Sequence, residues 1–136
     1  MSGAAFALDG RLAADTRHVA SLPLCEVLLM NDARFPWLIL VPRRADLSEL
    51  QDLSHAERMV LIEELARASR GLKTFAGADK INVGALGNIV SQLHVHVVAR
   101  KQSDPAWPGP VWGSGAGSPY EASARDALIS QVRQVL

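Results

Sequence analysis

The chain has a single cysteine, no surplus of either charge and no long apolar run. Each scarcity excludes something. Cys25 has no second cysteine to pair with, so an internal disulfide is impossible, which fits a reducing compartment. Its neighbours Leu24, Val27 and Leu28 suggest a buried thiol, not a nucleophile. Lys plus Arg number 14 and Asp plus Glu also 14, so no net field recruits nucleic acid or an acidic membrane. No stretch approaches the ~18 apolar residues needed to cross a bilayer. No basic segment followed by an apolar run opens the chain, so no signal peptide is visible and a cytoplasmic protein is expected. What remains is an ordinary globular balance, 49% hydrophobic and 21% charged over 136 residues, enough for one domain with a real core.

The most informative stretch is Gln92-Leu93-His94-Val95-His96-Val97-Val98. Apolar β-branched residues alternate with polar ones, as on a half-buried strand. Leu93, Val95 and Val97 would face a core. Gln92, His94 and His96 would share the other face, about 7 Å apart from neighbour to neighbour. Two imidazoles and an amide in a row can gather round one small anion. Upstream lies Asn82-Val83-Gly84-Ala85-Leu86-Gly87-Asn88, a Gly/Asn-rich turn whose backbone can approach a ligand closely.

Along the chain, residues 1–16 read as a loose leader, with a short strand at Phe6 to Leu12 around the turn signal Asp9-Gly10. Strands follow at Arg17–Leu22 and Leu24–Met30, separated by Pro23. The second is nearly continuously apolar, as in a central strand. His18 is expected at the surface or a strand edge. Asn31 to Pro36 forms a turn, Trp37–Val41 a strand, and Arg43 and Arg44 solvated surface cations. A short helical turn is expected at Leu47–Leu50. Ser54-His55-Ala56-Glu57 is a capping box, and Leu61, Leu65, Ala68, Leu72 and Phe75 then fall on one helical stripe. Gly77 suits the stop, and His55 is an exposed helix-start residue. Asp79–Val83 gives another strand. Residues 103–119 turn Pro-, Gly- and Trp-rich. Trp107 and Trp112 there either seal the domain's own core edge, form a lid or wall of the site, or pack on a second subunit. Gly113 to Gly117 reads as a flexible spacer. Ser118-Pro119 opens a C-terminal helix over 119–136, with a stripe at Ala124, Leu128, Val132 and Leu136.

The segment Asn82 to Arg100 resembles the signature of the histidine triad (HIT) superfamily, His-φ-His-φ-His-φ-φ after an Asn…Gly-Gln lead-in. Gln92 occupies the first triad position and Asn88 that of the lead-in Gln, while His94 and His96 match the middle and last. The resemblance spans residues 20 to 110. It implies one HIT-like α+β domain over 1–136. An antiparallel sheet of about five strands carries one main helix and a C-terminal helix. It implies a homodimer and a purine nucleotide or dinucleotide-like ligand.

By that resemblance His94 attacks the α-phosphorus and His96 contacts phosphate oxygens. Asn31 or Asp32 meets the ribose, and Asn82, Gly87 and Asn88 approach phosphate or leaving group. The activity implied is a nucleotide hydrolase or nucleotidyl transferase working through a nucleotidyl-histidine on a phosphoanhydride or phosphoramidate, with no cofactor. An amide at Gln92 can hydrogen-bond as imidazole does, but cannot become a cation or shuttle a proton near neutrality. Ile89 stands where family members often carry a hydroxyl that helps the leaving group. Two other readings remain open: a nucleotide-binding or interaction module with weak or lost catalysis, and a His-x-His metal site, which needs a third ligand.

Overall fold

The computed structural model describes residues 5–136. Five strands form one antiparallel sheet: β1 (Thr16–Ser21), β2 (Cys25–Met30), β3 (Trp37–Pro42), β4 (Lys80–Gly84) and β5 (Val95–Arg100). The spatial order is β1-β2-β3-β5-β4, so the motif strand lies inside the sheet. Three α-helices accompany it, α1 (Gly10–Asp15), α2 (His55–Ala76) and α3 (Ala122–Val135).

The sheet has two differently furnished faces. One carries Val27, Leu29, Leu38, Leu40, Val95 and Val97 against Leu61, Leu65, Ala68 and Leu72 of α2 and Ile129 and Val132 of α3. This is the main core, and removal of its apolar surface from water drives the folding. The opposite face carries Leu28, Trp37, Ile39, Val41 and Val98, covered by Leu12, Phe35 and Val111. Strand alternation on β5 sends Val95, Val97 and Ala99 to the helices and His96, Val98 and Arg100 to the second face. No helix of the described residues is long and apolar enough to cross a membrane.

The helix α2 forms where the capping box lies. Ser54 Oγ accepts from the Glu57 amide, and the Glu57 carboxylate accepts from the Ser54 amide. Gly77 ends the helix at φ 60°, the left-handed region in which glycine carries no Cβ penalty. Glu64 is buried on this helix and accepts the backbone N–H groups of Leu24 and Cys25, both at 2.8 Å. Burial and the adjacent Glu64 carboxylate push the Cys25 thiol far up, so it stays protonated and unreactive.

Five local expectations are corrected. Phe6–Leu12 is not a strand. Asp9 instead caps α1, its carboxylate accepting from the amides of Arg11 and Leu12, and Leu12 is buried under the sheet. The leader is therefore anchored from Ala7 onward; residues 1–4 lie outside the described part. The C-terminal helix starts at Ala122, not at Pro119. The Ser118 and Tyr120 amides are engaged by Asp32 and Asn31, which holds these residues out of the helix. The motif strand begins at Val95, because Leu93 donates its N–H to Leu47 and leaves the ladder. The turn after β3 is a 3-10 helix at Leu50–Asp52, organised by Asp52 accepting from the Ser48 and Glu49 amides. Arg43 is partly buried and bonds the carbonyl of Pro23, whereas Arg44 is exposed as expected and pairs with Glu57 at 2.7 Å.

Candidate active site

The second face of the sheet positions the site. Antiparallel register puts Ile39 opposite His96 and Trp37 opposite Val98, so Trp37 and His96 are diagonal neighbours. The indole Nε1–H of Trp37 donates to His96 Nδ1 at 3.0 Å, and both side chains are buried. An indole nitrogen can only donate, so Nδ1 is an acceptor and the neutral ring carries its proton on Nε2. Burial, reinforced by neighbouring His94, lowers the His96 pKa to about 4. At neutral pH this imidazole is an uncharged N–H donor.

His94 has the complementary tautomer. Its Nδ1 lies 2.7 Å from the backbone carbonyl of Gln92. A carbonyl only accepts, so Nδ1 holds the proton and Nε2 keeps a free lone pair. The two rings meet edge to face with centroids 4.9 Å apart. One position supplies a nucleophilic nitrogen and the next supplies a donor, and each tautomer is fixed by a different neighbour.

Both rings line a cleft of about 700 Å³. That lies within the ~300–1,000 Å³ typical of small-molecule sites. Asn31, Asp32, Gly87 and Asn88 line it as well. The Asp32 carboxylate is buried and accepts from the Arg34 guanidinium, the Arg34 amide and the Ser118 amide. These bonds outweigh its burial and hold its pKa below the usual carboxylate range. Asn31 Oδ1 accepts from the Tyr120 amide at 2.9 Å. Through these bonds, and Arg34 to the Ser114 carbonyl, the Gly-rich stretch expected to be a loose spacer is tied to the turn after β2. A smaller cavity of about 120 Å³ adjoins His94 and Gly87 on the side of the 3-10 helix.

Two expected site residues are placed elsewhere. Asn82 shares the face of His96 but does not line the cleft. Its Oδ1 accepts from Arg100 at 2.9 Å. Arg100 is fully buried, paired with Asp104 at 2.7 Å, with its guanidinium near the rings of Phe35 and Trp107. A buried guanidinium needs its donors satisfied, and Asn82 and Asp104 do that. Gln92 precedes β5, and its side chain bonds the N-terminal segment, not the cleft. The row of three on one strand face is thus a pair of histidines preceded by an amide that points elsewhere.

Several wall residues were not foreseen: Trp37, Arg34, Ile39, Val90 and, from α1, Arg11 and Leu12. Trp37 could have been found only from the sheet register. Trp112 also lines the cleft, packing edge to face on His96 at 5.4 Å. Its six-membered ring lies over Gly84, where a Cβ would come within 2.9 Å of Cη2. Among the described residues, its Nε1 is the buried side-chain polar atom with no hydrogen-bond partner. Trp107 belongs to the Arg100 cluster and lies off the cleft. Among the described residues no group of three His, Cys, Asp or Glu side chains is placed to hold a metal ion.

Comparison with known proteins gives a consistent picture. Solved histidine triad proteins superpose over nearly the whole chain. One from Sinorhizobium meliloti is 48% identical, with a TM-score of 0.94 over 96% of this chain and 97% of that one. One from Bradyrhizobium japonicum is 45% identical, with a TM-score of 0.93 over 96% and 98%. One from Marinobacter aquaeolei is 44% identical, with a TM-score of 0.95 over 98% and 97%. No curated protein matches significantly. The HIT domain family model matches residues 11–103, the span holding the sheet, both histidines and most of the cleft wall, and the chain belongs to the histidine triad family.

Proposed function

We propose that the protein is a nucleotide hydrolase or nucleotidyl transferase that forms a covalent intermediate on His94. The observation that carries this reading is the 2.7 Å bond from His94 Nδ1–H to the Gln92 carbonyl beside the cleft. It leaves Nε2 as the nucleophile. In the first step the Nε2 lone pair forms a bond to the α-phosphorus. The bond from phosphorus to the leaving oxygen or nitrogen breaks, and the leaving group departs with that electron pair and takes a proton from solvent, which the second step returns. His94 is then a cationic N-phosphoryl imidazolium, and the carbonyl on Nδ1–H stabilises that charge. In the second step water, or another acceptor, attacks phosphorus. The P–N bond breaks, its electron pair returns to Nε2, and the acceptor's proton is released.

His96 Nε2–H suits a non-bridging phosphate oxygen, where charge develops. Ribose hydroxyls would meet Asn31 and Asp32 at the end of β2, with the base toward Ile39 and Val90. Gly87 and Asn88 would approach the phosphate. The ligand class is a purine nucleotide or dinucleotide-like molecule, and the family resemblance implies a homodimer.

A second reading is a nucleotide-binding module with weak or lost catalysis. The observation favouring it is the engaged Gln92 amide, which brings no titrating group to the first triad position. One experiment separates the two. The protein is offered adenosine 5′-phosphoramidate, and intact mass is followed after rapid acid-free quenching. A nucleotidyl adduct that disappears in His94→Ala, and persists in His55→Ala, supports the enzyme. Binding without adduct or turnover supports the module. Equal turnover in both variants overturns the role of His94.

A further inference from the structure

The first triad position does something other than face the substrate. Gln92 Oε1 accepts from the Asp9 N–H at 2.8 Å, and its Nε2 donates to the Ala7 carbonyl at 2.8 Å. A primary amide carries an acceptor and a donor at one end, as a peptide unit does, so it can pair with an extended backbone. An ionised Glu could only accept. A neutral imidazole has one donor and one acceptor on opposite sides of a ring and cannot serve both partners.

What the clamp holds is part of the site. Asp9 is the cap of α1, its carboxylate accepting from Arg11 N–H at 2.8 Å. Leu12 is buried against the same sheet face as Trp37 and Val98. Arg11 and Leu12 line the cleft with the histidines. The Gln92 backbone carbonyl meanwhile fixes the His94 tautomer. One residue therefore joins the N-terminal segment, the cleft wall and the nucleophile.

We propose that Gln92 is a positioning residue, a latch whose side-chain amide clamps residues 7–9 so that α1 forms a wall of the nucleotide cleft. The assignment of the cleft to a nucleotide rests on the function proposed above; the latch itself does not. A histidine at this position cannot reproduce the clamp, so the N-terminal wall and the glutamine belong together.

The test compares Gln92→Ala, Gln92→Glu, Gln92→His and Leu12→Ala in the full chain. Amide hydrogen exchange over residues 7–15 should rise roughly tenfold in Gln92→Ala and Gln92→His, the effect of losing one part-buried and one exposed hydrogen bond together. Gln92→Glu should fall between, since it keeps the Asp9 bond and loses the Ala7 bond. In turnover of a nucleoside phosphoramidate, KM should rise more than kcat falls, with an unchanged pH profile. Leu12→Ala, which loosens α1 while leaving Gln92 in place, should give the same split. Unchanged exchange in a folded Gln92→Ala protein overturns the latch. So does a loss confined to kcat, or a displaced pH profile, either of which puts Gln92 in the chemistry. The exchange measurement needs no substrate. Raised exchange in a protein that neither binds nor turns over nucleotide would keep the latch and refute the functional reading.

Discussion

The Trp37 to His96 hydrogen bond makes the sharpest prediction. Replacing Trp37 with benzothienylalanine puts sulfur where the N–H was and keeps the bicyclic shape, so packing is conserved and only the donor is lost. In the native protein the bond is 3.0 Å long, with Trp37 6% and His96 6% exposed. With both side chains buried, losing the donor leaves the His96 acceptor unpaired at a cost of about 1–3 kcal/mol. For a domain of this size that lowers Tm by roughly 3–10 °C. The functional effect is separate. The indole fixes the proton on Nε2 and holds the ring still. Without it, substrate binding must do that ordering, and about 1.4 kcal/mol of lost preorganisation is roughly tenfold in kcat/KM. Nitrogen-15 NMR of the His96 ring reads the tautomer directly, with the wild type protonated on Nε2 alone. A wild-type proton on Nδ1, or an analogue whose kcat/KM stays within about twofold, would refute the reasoning.

The other predictions concern packing and pH. Gly84→Ala places a Cβ 2.9 Å from Trp112 and should displace that ring from His96; an unchanged tryptophan fluorescence spectrum and unchanged nucleotide affinity would contradict the contact. Gly71→Ala brings a Cβ within 2.5 Å of the Val135 carbonyl and should loosen α3, lowering stability by about 1–3 kcal/mol in urea unfolding with the cleft unaffected. Acid should destabilise the fold in two stages. His96 has a folded pKa of about 4 against an ordinary 6.5, so the unfolded chain binds more protons in that interval and stability falls as pH drops through it, by roughly 3 kcal/mol in all. Asp104, held at about 2 chiefly by its hydrogen bond to Arg100, contributes about 2 kcal/mol above pH 3.8 that is lost between there and pH 2. Chemical denaturation at a series of pH values should show a loss already between pH 6.5 and 5, and a flat profile there would refute the His96 assignment.

Much of the architecture could be read from residue spacing. Ser54 and Glu57, the stripe from Leu61 to Leu72 and Gly77 define α2 by contacts three or four residues apart. The alternation at Leu93 to Val97 put valines toward the helices and both histidines away from them. The Asn31-Asp32 turn and the Gly87-Asn88 loop were singled out, and both line the cleft. Errors arose where a local signal was overruled by a distant partner. Ser118-Pro119 has the form of a helix start, but Asp32 and Asn31 take the nearby amides. Asn82 stands in the motif lead-in, but a buried arginine eighteen residues on claims its carbonyl oxygen.

The sequence by itself determined the long helix α2, the five strands in outline and that two imidazoles share a face, because these follow from backbone periodicity within a few residues. Only the tertiary structure decided what each imidazole can do. The proton on His96 is set by an indole 59 residues away, and the amide at Gln92 turns to a segment more than 80 residues distant. Such pairings depend on sheet register and on which chain ends meet, and no local spacing encodes them.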